Sequence, residues 1–207
     1  LIAIIDYGVG NLFSLRSSLA FIGEEAAVTN DVNVIRNSGR IILPGVGAFG
    51  DAARKLRESG MADIVLSEAA GGKPILGICL GMQLLFERSF EFGEHSGLGL
   101  IKGDIVPISN VIPEGFKIPQ IGWNALRFPA DREKSSIFRY ISQNHHVYFV
   151  HSYYAANCGP YVTATTEYGA ELTAAAANGN VFGTQFHPEK SGTVGLNILR
   201  GFCESRF

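Results

Sequence analysis

A cysteine, Cys79, stands between two glycines in GICLG, Gly77 to Gly81, and far downstream His187 and Glu189 flank a proline in FHPE. A thiol, an imidazole and a carboxylate are the parts of a nucleophile, a base and the group that orients the base. The apolar run Pro74 to Ile78 predicts a buried strand, and Leu80 to Phe86 the start of a helix, so Cys79 falls on the turn between them. Such a strand-to-helix turn is a nucleophile elbow, which presents a side chain at a strained backbone position with the next N–H ready for an oxyanion. Gly77 and Gly81 suit a turn where strand and helix pack too closely for side chains. The helix start also favours a thiolate, the reactive form of cysteine. In an extended segment residues two apart share a face, so His187 and Glu189 are expected side by side with Pro188 stiffening the link. Alone, Cys79 reads better as a buried core thiol, and one His-x-Glu pair among five histidines is unremarkable.

A second loop could join them. PGVGAFGD, Pro44 to Asp51, holds Gly45, Gly47 and Gly50 after the apolar strand Arg40 to Leu43. In an open α/β sheet, loops at the carboxyl ends of strands share one edge. An N–H from Val46 or Gly47 would then join that of Leu80 as an oxyanion hole, although a plain glycine-rich turn reads as well from this loop by itself. Gln83, one helical turn past Cys79, faces the same side, where it either binds a ligand or lies on the surface.

The elements that must position these groups alternate. Strands are predicted over Leu1 to Asp6, Glu25 to Val28, Arg40 to Leu43 and up to Ile78, with helices from Leu12 to Ile22, near Val32 to Asn37 and over Asp51 to Ala69 with a break near Gly60. Asn11 is placed to cap the first helix. Residues Glu87 to Gly97 read as irregular, Asp131 to Tyr140 as helical, and the stretches to Phe128, around His145 to Ala155 and Val162 to Gly169 as β structure. Asn178-Gly179 predicts a hairpin, and a closing helix, Thr193 to Glu204, packs through Leu196, Leu199 and Phe202. The fold expected is α/β: an open, mostly parallel central sheet flanked by helices, flavodoxin-like, with added antiparallel strands in the C-terminal half.

The 207 residues, 46% hydrophobic and 17% charged, can bury one core, and the chain is read as a single domain over 1–207. A net charge of −2 without a Lys/Arg cluster gives no support for nucleic acid or an anionic membrane as partner. Three scattered cysteines lack metal-ligand spacing and point to a reducing compartment, so no metal or cofactor is expected. No apolar run reaches a membrane span, and LIAIID lacks a signal peptide's basic region, so the chain is expected to be soluble, unprocessed and cytoplasmic. GVGN after the first strand leaves the dinucleotide fingerprint incomplete, because position 13 is Phe13.

PGVG, GICLGMQ and FHPE, in that order, resemble the motifs of the class I (triad) glutamine amidotransferases. IIDYGVGN, PQIGWN and HPEKSG further resemble the glutaminase subunits of imidazole glycerol phosphate synthases, over nearly the whole chain. The resemblance implies a triad of Cys79, His187 and Glu189 that hydrolyses glutamine through a thioester, with Gly47, Leu80, Gln83, Glu91, Ser152 and Tyr153 holding the substrate. It also implies a heterodimer with a cyclase barrel subunit, which uses the ammonia to form imidazole glycerol phosphate and aminoimidazole carboxamide ribonucleotide in histidine biosynthesis. Asn11, Trp123, Asn124 and Lys190 match that family's interface positions. The remaining alternatives are a glutaminase serving anthranilate or aminodeoxychorismate synthase, and a silent binding module of the same fold. DYGVGN and IGWN speak against the first, and the intact triad against the second.

Overall fold

The computed structural model describes residues 1–205. In chain order the first half runs β1 (Ile2–Ile5), α1 (Leu12–Phe21), β2 (Ala26–Thr29), α2 (Val32–Asn37), β3 (Arg40–Leu43), α3 (Phe49–Glu58), α4 (Met61–Ala70), β4 (Ile75–Ile78), α5 (Leu80–Leu84), β5 (Phe86–Ser89), β6 (His95–Ser96) and β7 (Ile101–Pro107). The second half runs β8 (Gln120–Ala125), β9 (His146–His151), β10 (Tyr153–Ala156), β11 (Val162–Glu167), β12 (Glu171–Asn178), β13 (Val181–Thr184) and α6 (Gly192–Glu204).

Seven strands form the main sheet in the order β11-β12-β13-β4-β3-β1-β2. Pairing is parallel from β2 through β13 and antiparallel at β12 and β11. The mostly parallel α/β expectation is met. Strands β1, β4 and β13 are buried along their full length because helices cover both faces. The two-residue period divides their side chains: Ala3, Ile5, Ile41, Leu43 and Ile75 pack with Phe49, Leu56 and Val65 of α3 and α4. Ile2, Ile4, Ile42, Leu76 and Ile78 pack with Leu15, Leu19, Ile198, Leu199 and Phe202 of α1 and α6. A smaller sheet, β10-β7-β5-β6, and the β8-β9 pair lie outside it.

Local expectations fail where tertiary packing overrides the sequence pattern. The helix after Cys79 ends at Leu84, not Phe86, because Phe86 is drawn into β5 beside β7. Part of Glu87 to Gly97 is therefore strand rather than irregular chain. Over Asp131 to Tyr140 only Ser136–Phe138 forms a helical turn, of the 3-10 type, and Ile137 and Phe138 are buried there. The last helix buries Ile198 rather than Leu196 beside Leu199 and Phe202. Asn11 occupies the N-cap position of α1 without a side-chain capping bond. In the last hairpin Asn178 still pairs with Val181, so Gly179 and Asn180 make the turn.

Candidate active site

Strands β3, β4 and β13 end at one edge of the sheet, and the site is built on the three loops that leave them. Cys79 has φ 55 and ψ −113, a left-handed conformation costly for any residue with a Cβ. The close packing under it is backbone on backbone. A Cβ on Gly81 would fall 1.9 Å from the Leu43 carbonyl oxygen, one on Gly77 2.6 Å from the Gly81 carbonyl oxygen, and one on Gly45 2.7 Å from the Gly81 nitrogen. The elbow and the PGVG loop thus touch through Gly81 and Gly45, and Gly47 beyond them is left-handed, with φ +99.

The register of β4 against β13 pairs Ile78 with Thr184, and the Cys79 N–H donates to the Thr184 carbonyl at 2.7 Å. His187 lies three residues further on. Its own N–H donates to the Tyr148 carbonyl at 3.0 Å, and its side chain lines the same cavity as Cys79. Its Nδ1 is 2.8 Å from Oε1 of Glu189, both side chains being 3% exposed. The expected pair is present, but not on a strand: His187 is extended and Pro188–Lys190 forms a 3-10 turn that carries Glu189 back to the ring. Burial pulls the His187 pKa down, yet hydrogen bonds and charge from Cys79 and Glu189 outweigh it and raise it to about 9.

These groups open on a cavity of about 360 Å³ lined by Val46, Gly47, Cys79, Leu80, Gln83, Glu91, Pro119, Val150, His151, Ser152, Tyr153, His187 and Lys190. Every substrate-binding and oxyanion candidate read from the sequence borders it. A larger hollow of about 690 Å³, between Arg127, Arg132, Asn157 and Glu171, is lined by none of the triad. Glu91 accepts from the Phe49 N–H at 2.6 Å, at the start of α3. Gln83 is buried, and its Nε2 donates to the Tyr153 carbonyl at 3.3 Å and to Oε1 of Gln185 at 3.0 Å, so what it offers a ligand is its carbonyl oxygen.

Of the interface candidates, Asn11 borders a small hollow with Val46, His187 and Glu189. Trp123 is 53% exposed and meets Tyr148 edge to face at 6.1 Å, while the Lys190 ammonium lies 5.9 Å above the same tyrosine ring. Trp123 is therefore not a core residue. Asn124 accepts at 3.0 Å from Gln120, which is fully buried.

Gln185 and His151 went unread in the sequence. Gln185 stands two residues before His187, a spacing that signals a shared site only once β13 is known to lie beside β4. His151 is buried with Nδ1 2.8 Å from the Tyr153 carbonyl and Nε2 2.8 Å from Oε1 of Gln120. Burial, opposed by the Tyr153 bond and reinforced by the nearby His187 charge, lowers its pKa to about 4. His151 is thus neutral at pH 7, with one ring proton facing two oxygens, the Tyr153 carbonyl and Gln120 Oε1, that can only accept.

A cysteine on a strained elbow, an imidazole in the same cavity and a carboxylate behind that imidazole define a cysteine-nucleophile α/β enzyme. The chain belongs to the class-I glutamine amidotransferase family, whose model matches residues 3–204. It is 49% identical over 205 residues to imidazole glycerol phosphate synthase subunit HisH of Caldanaerobacter subterraneus, with 99% of this chain and 98% of that protein covered. It is 47% identical to the protein of the same name from Wolinella succinogenes, with 99% of each covered. In fold it is similar to a crystal structure of a glutamine amidotransferase, with a TM-score of 0.75 at 20% identity, covering 98% of this chain and 97% of that one. It is also similar to the structure of PurLQS from Thermotoga maritima, with a TM-score of 0.74 at 24% identity, covering 98% and 96%.

Proposed function

We propose that this chain, as one domain over 1–207, is the glutaminase subunit of an imidazole glycerol phosphate synthase, cytoplasmic and paired with a cyclase subunit of histidine biosynthesis. The observation that carries the chemistry is Cys79 on its strained turn at the wall of a cavity that it shares with an imidazole held by Glu189. The Cys79 proton passes to His187 and the thiolate attacks the carboxamide carbon of glutamine. The oxyanion is received by the N–H groups of Leu80 and of Val46 or Gly47. His187 returns the proton to the nitrogen as the C–N bond breaks, releasing ammonia and leaving a thioester. Water then attacks the thioester, His187 takes a proton from it, and the C–S bond breaks to give glutamate and the thiol.

Gly47, Gln83, Glu91, Ser152 and Tyr153 hold the substrate, with the Glu91 carboxylate facing its ammonium. The partner face carries Asn11, Trp123, Asn124 and Lys190. Ile121 and Trp123, two apart on β8, share a face and are both exposed, as suits a surface that docks a partner. The relatives named as HisH subunits support the cyclase as that partner.

The test is Cys79→Ala in the reconstituted complex. Glutamine-dependent synthesis is expected to disappear while synthesis from added ammonia persists, since only ammonia release needs the thiol. Glutaminase activity near that of the parent would overturn the assignment.

A further inference from the structure

We propose that Gln185 is a catalytic residue whose side-chain N–H donates to the Cys79 sulfur and stabilises the thiolate, a reading that rests on Cys79 being the nucleophile. The amide nitrogen of Gln185 lies 3.8 Å from Cys79 Sγ, within reach for a hydrogen bond to sulfur. Gln185 is fully buried, so water cannot substitute for it.

The direction of that amide is fixed by a chain that begins at a group with no choice of role. The Tyr153 carbonyl can only accept, and it accepts from Gln83 Nε2 at 3.3 Å. Gln83 must therefore turn its nitrogen inward, and the same nitrogen reaches the side-chain oxygen of Gln185 at 3.0 Å. With its oxygen committed to Gln83, Gln185 can present only its nitrogen to the sulfur. Were the Gln185 amide turned over, two donors would face each other in a buried site and the sulfur would meet an oxygen.

The sulfur thus has two kinds of neighbour. The Val150 carbonyl at 3.9 Å accepts a hydrogen bond from the thiol and the His187 ring in the same cavity can take its proton, while Gln185 can only give. When the proton moves from Sγ to His187, negative charge gathers on sulfur and the Gln185 bond becomes charge-assisted. The same donor meets the charge again when the thioester's C–S bond breaks. Gln185 keeps its own protons throughout.

The experiment is site-resolved alkylation of Cys79 by iodoacetamide, read by peptide mass spectrometry from pH 6 to 10, on the parent chain, Gln185→Met and Gln185→Glu. Methionine keeps the volume and removes the donor, so alkylation at pH 7 should slow about tenfold. The gap should close at pH 10, where hydroxide ionises the thiol without help. A merely structural role for Gln185 would change access equally at every pH. Glutamate keeps an acceptor for Gln83 and sets a negative group against the sulfur, so it should slow alkylation at pH 7 further; it also decides the matter if Gln185→Met does not fold. Rates in folded variants within twofold of the parent at every pH would overturn the role of Gln185 and leave the nucleophile reading standing. A parent Cys79 unreactive at every pH would overturn both.

Discussion

His187 and Glu189 meet because Pro188 opens a 3-10 turn that folds the carboxylate back onto the ring two residues behind it, with Nδ1 and Oε1 2.8 Å apart. The second carboxylate oxygen, Oε2, is buried and has no hydrogen-bond partner among the described residues, which leaves the ring as the carboxylate's principal partner there. An ion so placed favours the protonated imidazole strongly.

His187→Asn should reduce thioester formation about 10²–10⁴-fold, the range of a lost general base, and Glu189→Gln should cost less because the imidazole that transfers the proton is still present in the cavity. Single-turnover kinetics on the two variants checks this. A Glu189 variant that is the slower of the two would show the roles to be misassigned.

Gly81→Ala should destabilise the fold by about 3 kcal/mol, at the upper end of overpacking costs, because the new methyl would lie 1.9 Å from the Leu43 carbonyl oxygen. Gly60→Ala, where a Cβ meets nothing within 4 Å but φ is +75, should cost only the left-handed backbone penalty, about 1 kcal/mol. Urea unfolding of both variants separates steric contact from backbone strain. Equal losses would remove the close loop-to-loop packing from the account of the elbow.

Acid should act through His151. Its folded pKa is depressed to about 4, against about 6.5 for a free histidine, so its contribution is complete above pH 6.5 and is lost as pH falls through 4. The contribution is about 3 kcal/mol. His187, facing it, has the opposite sign: raised to about 9, its share is complete below pH 6.5 and is lost as pH rises through 9. Unfolding midpoints of the parent and His151→Gln, measured between pH 7 and 4, should differ in slope, with the variant the flatter. Parallel slopes would refute the buried neutral imidazole.

Trp123→Ala should change the stability of the isolated chain by less than about 1 kcal/mol, as for an exposed position. It should weaken binding of the cyclase subunit by about 2 kcal/mol or more, the scale of an aromatic anchor. Thermal unfolding and a binding titration give the two numbers. Unchanged affinity would remove Trp123 from the interface.

Much of the frame was legible because its signals are local. The strand Arg40 to Leu43, the helix Val32 to Asn37 and the break between α3 and α4 at Gly60 follow from apolar runs, spacing and glycine. The sequence named Cys79, His187 and Glu189 because each sits in a short motif, and the geometry unites them. What was not legible depends on partners distant in sequence. Nothing near residue 185 announces that β13 will lie against β4, so neither Gln185 beside the sulfur nor the bond from Cys79 to Thr184 could be anticipated. Asp131 to Tyr140 suggested a helix, but burial of Ile137 and Phe138 took a single turn instead. His151 lacked any motif, since its meaning lies in Gln120, thirty-one residues before it.

Strand β13 is the last strand of the main sheet to be synthesised, yet it lies inside that sheet, between β12 and β4. Cys79 leaves the ribosome about a hundred residues before His187, an interval of roughly 5–20 s at ordinary translation rates. Throughout that time the β4 edge waits unpaired and the thiol has neither its base nor the carboxylate behind it. A nascent or truncated chain that stops short of β13 can therefore collapse around β1 to β4 without consuming glutamine, and hydrolysis begins only with a finished molecule.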